Sequence, residues 1–195
     1  MRALSLLLAA ALLAPAASSA AEHDLLPAGA PAVGADSIYL LGGAWEDHEG
    51  RPFRLEELRG KPVLISMFYA TCPHACPMLI TDLKRVERAL PAHLRDQVQV
   101  VLVTFDPARD TAEKLKALLE AHQVDAKRWR MLRTDPAKVQ ELAAVLGIKY
   151  RFTSKGAINH STVITLLDRE GAIAARLEGL RQPEAPLVEK LVALR

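Results

Sequence analysis

Residues 62–77 read PVLISMFYATCPHACP. Pro62 to Tyr69, entered from Gly60, is a continuous apolar run of the kind found in strands buried on both faces. The run ends directly at Ala70-Thr71-Cys72. Pro73 and Pro77 bias Cys72 and Cys76 toward extended backbone, and Pro77 suits the first turn of a helix, where its missing N–H costs nothing. Met78, Leu79, Leu83, Val86 and Leu90 then recur at helical spacing up to Pro91. Both sulfurs are therefore expected at or just before a helix N-terminus, whose dipole favours thiolate over thiol.

Working outward, Val98 to Phe105 is a second buried strand, and Asp110 with Glu113 resembles a capping box opening a helix faced by Leu115, Leu118, Leu119 and His122. Arg130 to Arg133 is a short third strand. Asp135-Pro136 starts a helix striped by Val139, Leu142, Ala143 and Leu146 and stopped at Gly147. Thr162–Leu167 and Ala172–Leu177 pair across the turn Asp168–Gly171, and Pro186–Leu194 is a last amphipathic helix. Upstream, Ser37–Ala44 and Pro52–Leu55 read as strands around a turn at Glu46–Gly50. Strand–crossover–strand units imply a parallel core, and the late hairpin adds antiparallel strands at one edge. The order predicts an α/β, thioredoxin-like fold with an N-terminal β-hairpin extension, spanning 37–195.

Residues 1–21 have the pattern of a signal peptide. Met1-Arg2 precedes the apolar run Ala3–Ala14, and A-x-A-like positions follow at Ala20 and Ala21. The run is short against the roughly 20 residues of a membrane span; an uncleaved N-terminal anchor is the alternative. Residues 22–36 form an Ala/Pro/Gly-rich lead-in. Export to the periplasm is expected. A net charge of +2 with interspersed signs and only 5% aromatic residues points away from nucleic acid.

The chain has two cysteines, Cys72 and Cys76. A bridge between them would close so short a loop that its value as a staple is small. Two nearby thiolates can instead form a labile disulfide, attack another disulfide, or hold a soft metal such as Cu(I) or Zn. A third ligand is offered by His160, just before the strand Thr162–Leu167, on a loop that faces the cysteine loop in a thioredoxin-like fold. An ordinary thioredoxin carries a cis-proline there, and here no proline occurs between Pro136 and Pro183. The bland reading of His160 is a solvated loop side chain.

Taken together, Gly60-Lys61-Pro62-Val63-Leu64, Cys72-Pro73-x-x-Cys76-Pro77, Asp106-Pro107-Ala108-Arg109-Asp110-Thr111 and His160-Ser161 resemble the Sco/SenC family of copper-binding, thioredoxin-like cytochrome c oxidase assembly proteins. The resemblance implies copper, as Cu(I) or Cu(II), on Cys72, Cys76 and His160. It also implies a copper-accepting partner in cytochrome c oxidase and a copper donor chaperone. The competing activity is thiol–disulfide exchange, with Cys72 attacking and Cys76 resolving. His74 and Asn159 stand where the family often has Asp. His74 reads as a loop side chain, an extra ligand being its sharper alternative. Asp110 reads as a helix cap and Asp106 as a hydrogen-bond partner of the site loop. His48, His93 and His122 show no ligand spacing, and Trp45 and Trp129 read as packing. After cleavage at Ala20, Ala21-Glu22-His23 would form a second, Cu(II)-binding N-terminus.

Overall fold

The computed structural model describes residues 34–72, 75–154 and 156–194. The signal segment, the lead-in up to residue 33, the Ala21-Glu22-His23 terminus and His74 lie outside them. The first half of the fold comprises β1 (Trp45–Asp47), β2 (Pro52–Phe53), β3 (Val63–Phe68), α1 (Ala75–Ala89), α2 (Ala92–Arg95), β4 (Gln99–Thr104) and α3 (Ala112–Ala121). It continues with β5 (Trp129–Arg133), α4 (Pro136–Leu146), β6 (Tyr150–Phe152), β7 (Ile158–His160), β8 (Val163–Leu167), β9 (Ile173–Glu178) and α5 (Ala185–Ala193).

Seven strands form one sheet in the order β2-β1-β5-β4-β3-β8-β9. β3, β4 and β5 are parallel, whereas β8 and β9 on one side and β1 and β2 on the other run antiparallel. The continuous apolar runs are the central strands: every residue of β3 and β8 is buried. Helices cover such strands, and α5 packs on β9 and α1 while α3 packs on β5. The two tryptophans are core residues, and the Trp129 indole N–H is satisfied by the Glu87 carboxylate at 2.9 Å.

Segment 37–44 departs from its sequence reading. Ser37–Ala44 is not a strand; Ile38–Leu41 is a 3-10 turn, and the first strand begins only at Trp45. The Ser37 hydroxyl accepts the Tyr39 N–H and donates to the Glu170 carbonyl, while the Ile38 N–H bonds the Gly171 carbonyl. These bonds draw the segment out of the sheet, and its apolar side chains are buried in a turn instead.

The register of β8 on β3 positions the chemistry. Val63 faces Leu167, Leu64 faces Leu166 and Ile65 faces Thr165. Each step forward on β3 is a step back on β8, so the C-terminal end of β3 lies beside the N-terminal end of β8. The end of β3 that leads to Cys72 therefore adjoins the end of β8 that follows His160.

Gly171 gives a test of the turn packing. It has φ +86°, and a Cβ there would lie 2.5 Å from the Ser37 hydroxyl and 2.6 Å from the Tyr39 ring. Gly147, at φ +74°, has its nearest neighbour at 4.0 Å. Gly171→Ala should therefore cost about 2–4 kcal/mol, combining overpacking with the left-handed backbone penalty, against about 1 kcal/mol for Gly147→Ala. Urea unfolding of the metal-free protein measures both, and equal losses would contradict the described packing.

Candidate metal centre

Cys76 lies in the first turn of α1 and Cys72 on the loop before it, while His160 ends β7. One ligand atom from each of the three lies within 4.8 Å of the other two. The sequence-predicted set is thus brought together from two distant parts of the chain. Cys76 is 3% exposed and Cys72 9%, and the His160 ring is half-buried. The His160 Nδ1 is 3.1 Å from the Ser161 carbonyl, a geometry that suits Nδ1–H as donor and leaves the Nε2 lone pair for a ligand.

His160 is carried on a small hairpin that the sequence reading left as a loop. β6 pairs with β7, setting Tyr150 opposite His160 and Phe152 opposite Ile158. The Ser161 N–H bonds the Lys149 carbonyl and the Lys149 N–H bonds the Ser161 hydroxyl, closing its base. The imidazole packs against Phe105, with ring centroids 4.9 Å apart, and meets Tyr69 edge-on at 6.0 Å. Phe105 in turn stacks on Tyr150 at 4.8 Å. Half-buried against two rings, His160 is not a fully solvated loop side chain.

Tyr69 joins the two halves of the centre. Its ring meets the His160 imidazole, and its hydroxyl is close enough to Cys72 and to the Ile158 backbone for both to act on its ionisation. Burial, and then the neighbouring Cys72, pushes its pKa up, so the phenol stays neutral. The reading of Tyr69 as the end of a strand gave no hint of this; its only signal was an aromatic beside a cysteine in an aromatic-poor chain.

The loop after β4 braces the same site, but neither of its two aspartates has its expected role. Asp110 does not cap α3; the Thr111 hydroxyl does, accepting from the Lys114 N–H. Asp110 is fully buried, and its Oδ2 accepts the Ala70 N–H at 2.9 Å and the Thr104 hydroxyl. Its Oδ1 is buried without a partner among the described residues. Asp106 instead pairs with Arg109, whose other guanidinium nitrogen reaches the Gly156 carbonyl on the hairpin at 2.9 Å.

The electrostatics also correct one expectation. A helix N-terminus favours thiolate, yet in the metal-free protein burial pushes the Cys76 thiol well above its ordinary pKa. The Tyr69 N–H, 3.5 Å from the sulfur, opposes this, and the neighbouring Cys72 and Asp110 reinforce it. Burial likewise holds His160 below the usual imidazole pKa, favouring the neutral form that can ligate.

This cysteine loop, polar brace and distal histidine extend through most of the chain, and a SCO1/SenC profile matches residues 41–194. The chain belongs to the SCO1/SenC family. A putative copper-binding protein of Stutzerimonas stutzeri is 29% identical over 70% of each chain. A SCO2-like protein of Rickettsia felis is 33% identical, but that match spans less than half of either chain, 46% of each. The structure of Bradyrhizobium japonicum ScoI with copper bound superposes with a TM-score of 0.64 at 26% identity, covering 78% of this chain and 97% of that one. A putative electron transfer protein from Aquifex aeolicus VF5 gives 0.70 at 26% identity, covering 84% and 92%. The SCO1/SenC chain thus has the thioredoxin-like α/β fold expected from its strand order.

Asp110 gives the brace a direct test. Asp110→Ala leaves the Ala70 N–H and the Thr104 hydroxyl without their acceptor, a loss of about 1–3 kcal/mol. Asp110→Asn keeps one acceptor oxygen and should lose less. Thermal and urea unfolding of the two variants check this ordering, and native-like stability in both would remove Asp110 from the brace.

Proposed function

We propose that this chain is a copper metallochaperone. It holds copper on the thiolates of Cys72 and Cys76 and the imidazole of His160, and passes it by ligand exchange to an apo copper site, that of a cytochrome c oxidase subunit. The observation that carries the reading is the convergence of the three ligand atoms within 4.8 Å. Two thiolates with one imidazole are a donor set that selects soft Cu(I) over hard cations, and imidazole accommodates Cu(II) as well. The copper-binding description of the Stutzerimonas relative and the copper-bound Bradyrhizobium structure support the same cargo.

Three ligands suit delivery better than permanent storage. A tetrahedral ion keeps a fourth position at which an acceptor's ligand enters before the chaperone's ligands leave. The geometry orders that exchange: His160 is half-exposed, Cys72 stands at the margin of burial, and Cys76 is enclosed. Copper would arrive from a donor chaperone by the reverse sequence. The signal-like N-terminus supports work in the periplasm; among the described residues, no helix is long and apolar enough to cross a membrane.

Proximity of the two sulfurs also favours a second activity, reduction of a target's copper-site disulfide. The Cys72 thiolate would attack one sulfur of that disulfide, forming a mixed disulfide and releasing one target thiolate. Cys76 would then displace the second target thiol and leave Cys72–Cys76 oxidised. The greater exposure of Cys72 supports it as the attacking sulfur. Loss of the imidazole should spare this exchange, whereas loss of either sulfur should abolish it.

Competition for Cu(I) between the reduced protein and bathocuproine disulfonate tests the leading reading. Wild type should bind one equivalent, and His160→Ala should bind it at least about 100-fold more weakly, beyond the loss typical of removing a supporting group. A His160→Ala protein that holds copper as tightly as wild type would exclude the three-ligand centre.

A further inference from the structure

The hairpin that carries His160 also forms an exposed basic and aromatic rim beside the imidazole. Between Glu141 and Asp168 the sequence contains no acidic residue, but it contains Lys149, Arg151 and Lys155, in a chain whose charges are otherwise interspersed. A shallow cavity of about 320 Å3 opens beside the imidazole, lined by Lys149, Tyr150, Arg151, Asn159 and His160. Phe152, next along β6, is 55% exposed and meets Tyr150 edge-on with centroids 6.1 Å apart. Lys149 and Arg151 are exposed too, and no ion pair is formed by either among the described residues.

We infer that this rim is the docking surface for an acidic protein partner, whose carboxylates face Lys149 and Arg151 and whose apolar side chain covers Phe152. The inference rests on the copper-delivery reading and names the chemistry of the acceptor. A solvated large aromatic beside a metal ligand gains from being covered, since burying a Phe side chain is worth roughly 1.5–3 kcal/mol. Unpaired cations around it favour an oppositely charged patch and speed encounter through long-range attraction. The imidazole lines this cavity, so a partner seated there sits directly against one of the three candidate ligands. A protein fits better than a lipid surface: two cations with one aromatic offer a membrane only about 1 kcal/mol per charge.

Two synthetic acceptor peptides provide the test. They share a Cys-Gly-Gly-Cys segment and one leucine and differ in their flanks, all Glu in one and all Lys in the other. Copper transfer is followed by stopped flow from the Cu(I)-loaded full chain. At low ionic strength the Glu peptide should take copper about tenfold faster than the Lys peptide, and high salt should close the gap. The Lys149→Glu/Arg151→Glu double variant should invert the preference, and Phe152→Ser should slow the Glu peptide several-fold. Both variants should keep wild-type Cu(I) affinity against bathocuproine disulfonate, which shows that the metal centre is intact. Equal rates for the two peptides, or a preference unmoved by the double variant, would overturn the docking surface. So would binding to phosphatidylglycerol vesicles that the same variants abolish while peptide transfer is unchanged. Failure of the copper reading is seen separately, as a chain that takes up no copper before any peptide is added. Binding of the metal-free peptides to the metal-free chain then decides the surface by itself, with the Glu peptide expected to bind more tightly and equal binding contradicting it.

Discussion

The antiparallel pairing of β8 against β3 is the constraint on which the centre depends. Parallel neighbours of β3 can bring only strand C-termini to the cysteine end of the sheet. An antiparallel neighbour brings its N-terminus there, so the residues preceding β8 meet those following β3. Backbone register thus brings the segments that carry His160 and Cys72 to the same end of the sheet. Both strands are wholly buried, so a one-residue slip would turn every core side chain of β8 to the opposite face. Stability of the core and registration of the ligands are the same requirement.

The register brings the ligands near each other, and the loop after β4 fixes their orientation. Asp110 holds the Ala70 N–H, and so the turn that leads to Cys72. Asp106 holds Arg109, and Arg109 holds the far end of the histidine hairpin at Gly156. Thr111 begins α3 immediately afterwards. Four polar residues within six positions thus perform separate tasks on both halves of the site. Tyr69 adds a further link, its ring against the His160 imidazole and its backbone N–H on the Cys76 sulfur. Bracing of this kind limits the rearrangement that the three candidate ligands would need in order to bind a metal.

Much of this was legible in the sequence, for identifiable reasons. The runs Pro62–Tyr69 and Val98–Phe105 read as buried strands because they are short, rich in β-branched residues and bounded by turn or helix-start signals. The cysteine pair and His160 stand out because few residue types can hold a soft metal. Segment 37–44 misled because burial in a 3-10 turn and burial in a strand leave similar apolar patterns; the Ser37 and Gly171 bonds that decide between them are long-range. The roles of Asp106 and Asp110 were hidden for a related reason. An aspartate before a helix looks like a cap, and only the position of Ala70 across the fold shows where Asp110 points. The short hairpin β6–β7 escaped notice because its strands have three residues each, too few for periodicity to register.

The account stands on three side chains from two chain segments holding one ion. X-ray absorption at the copper edge, on protein loaded in the reduced state, measures that directly. Two sulfur scatterers and one imidazole nitrogen per copper, with the imidazole signature lost in His160→Ala, is the expected result. A sulfur-only shell, or an imidazole signature that survives the loss of His160, would contradict it.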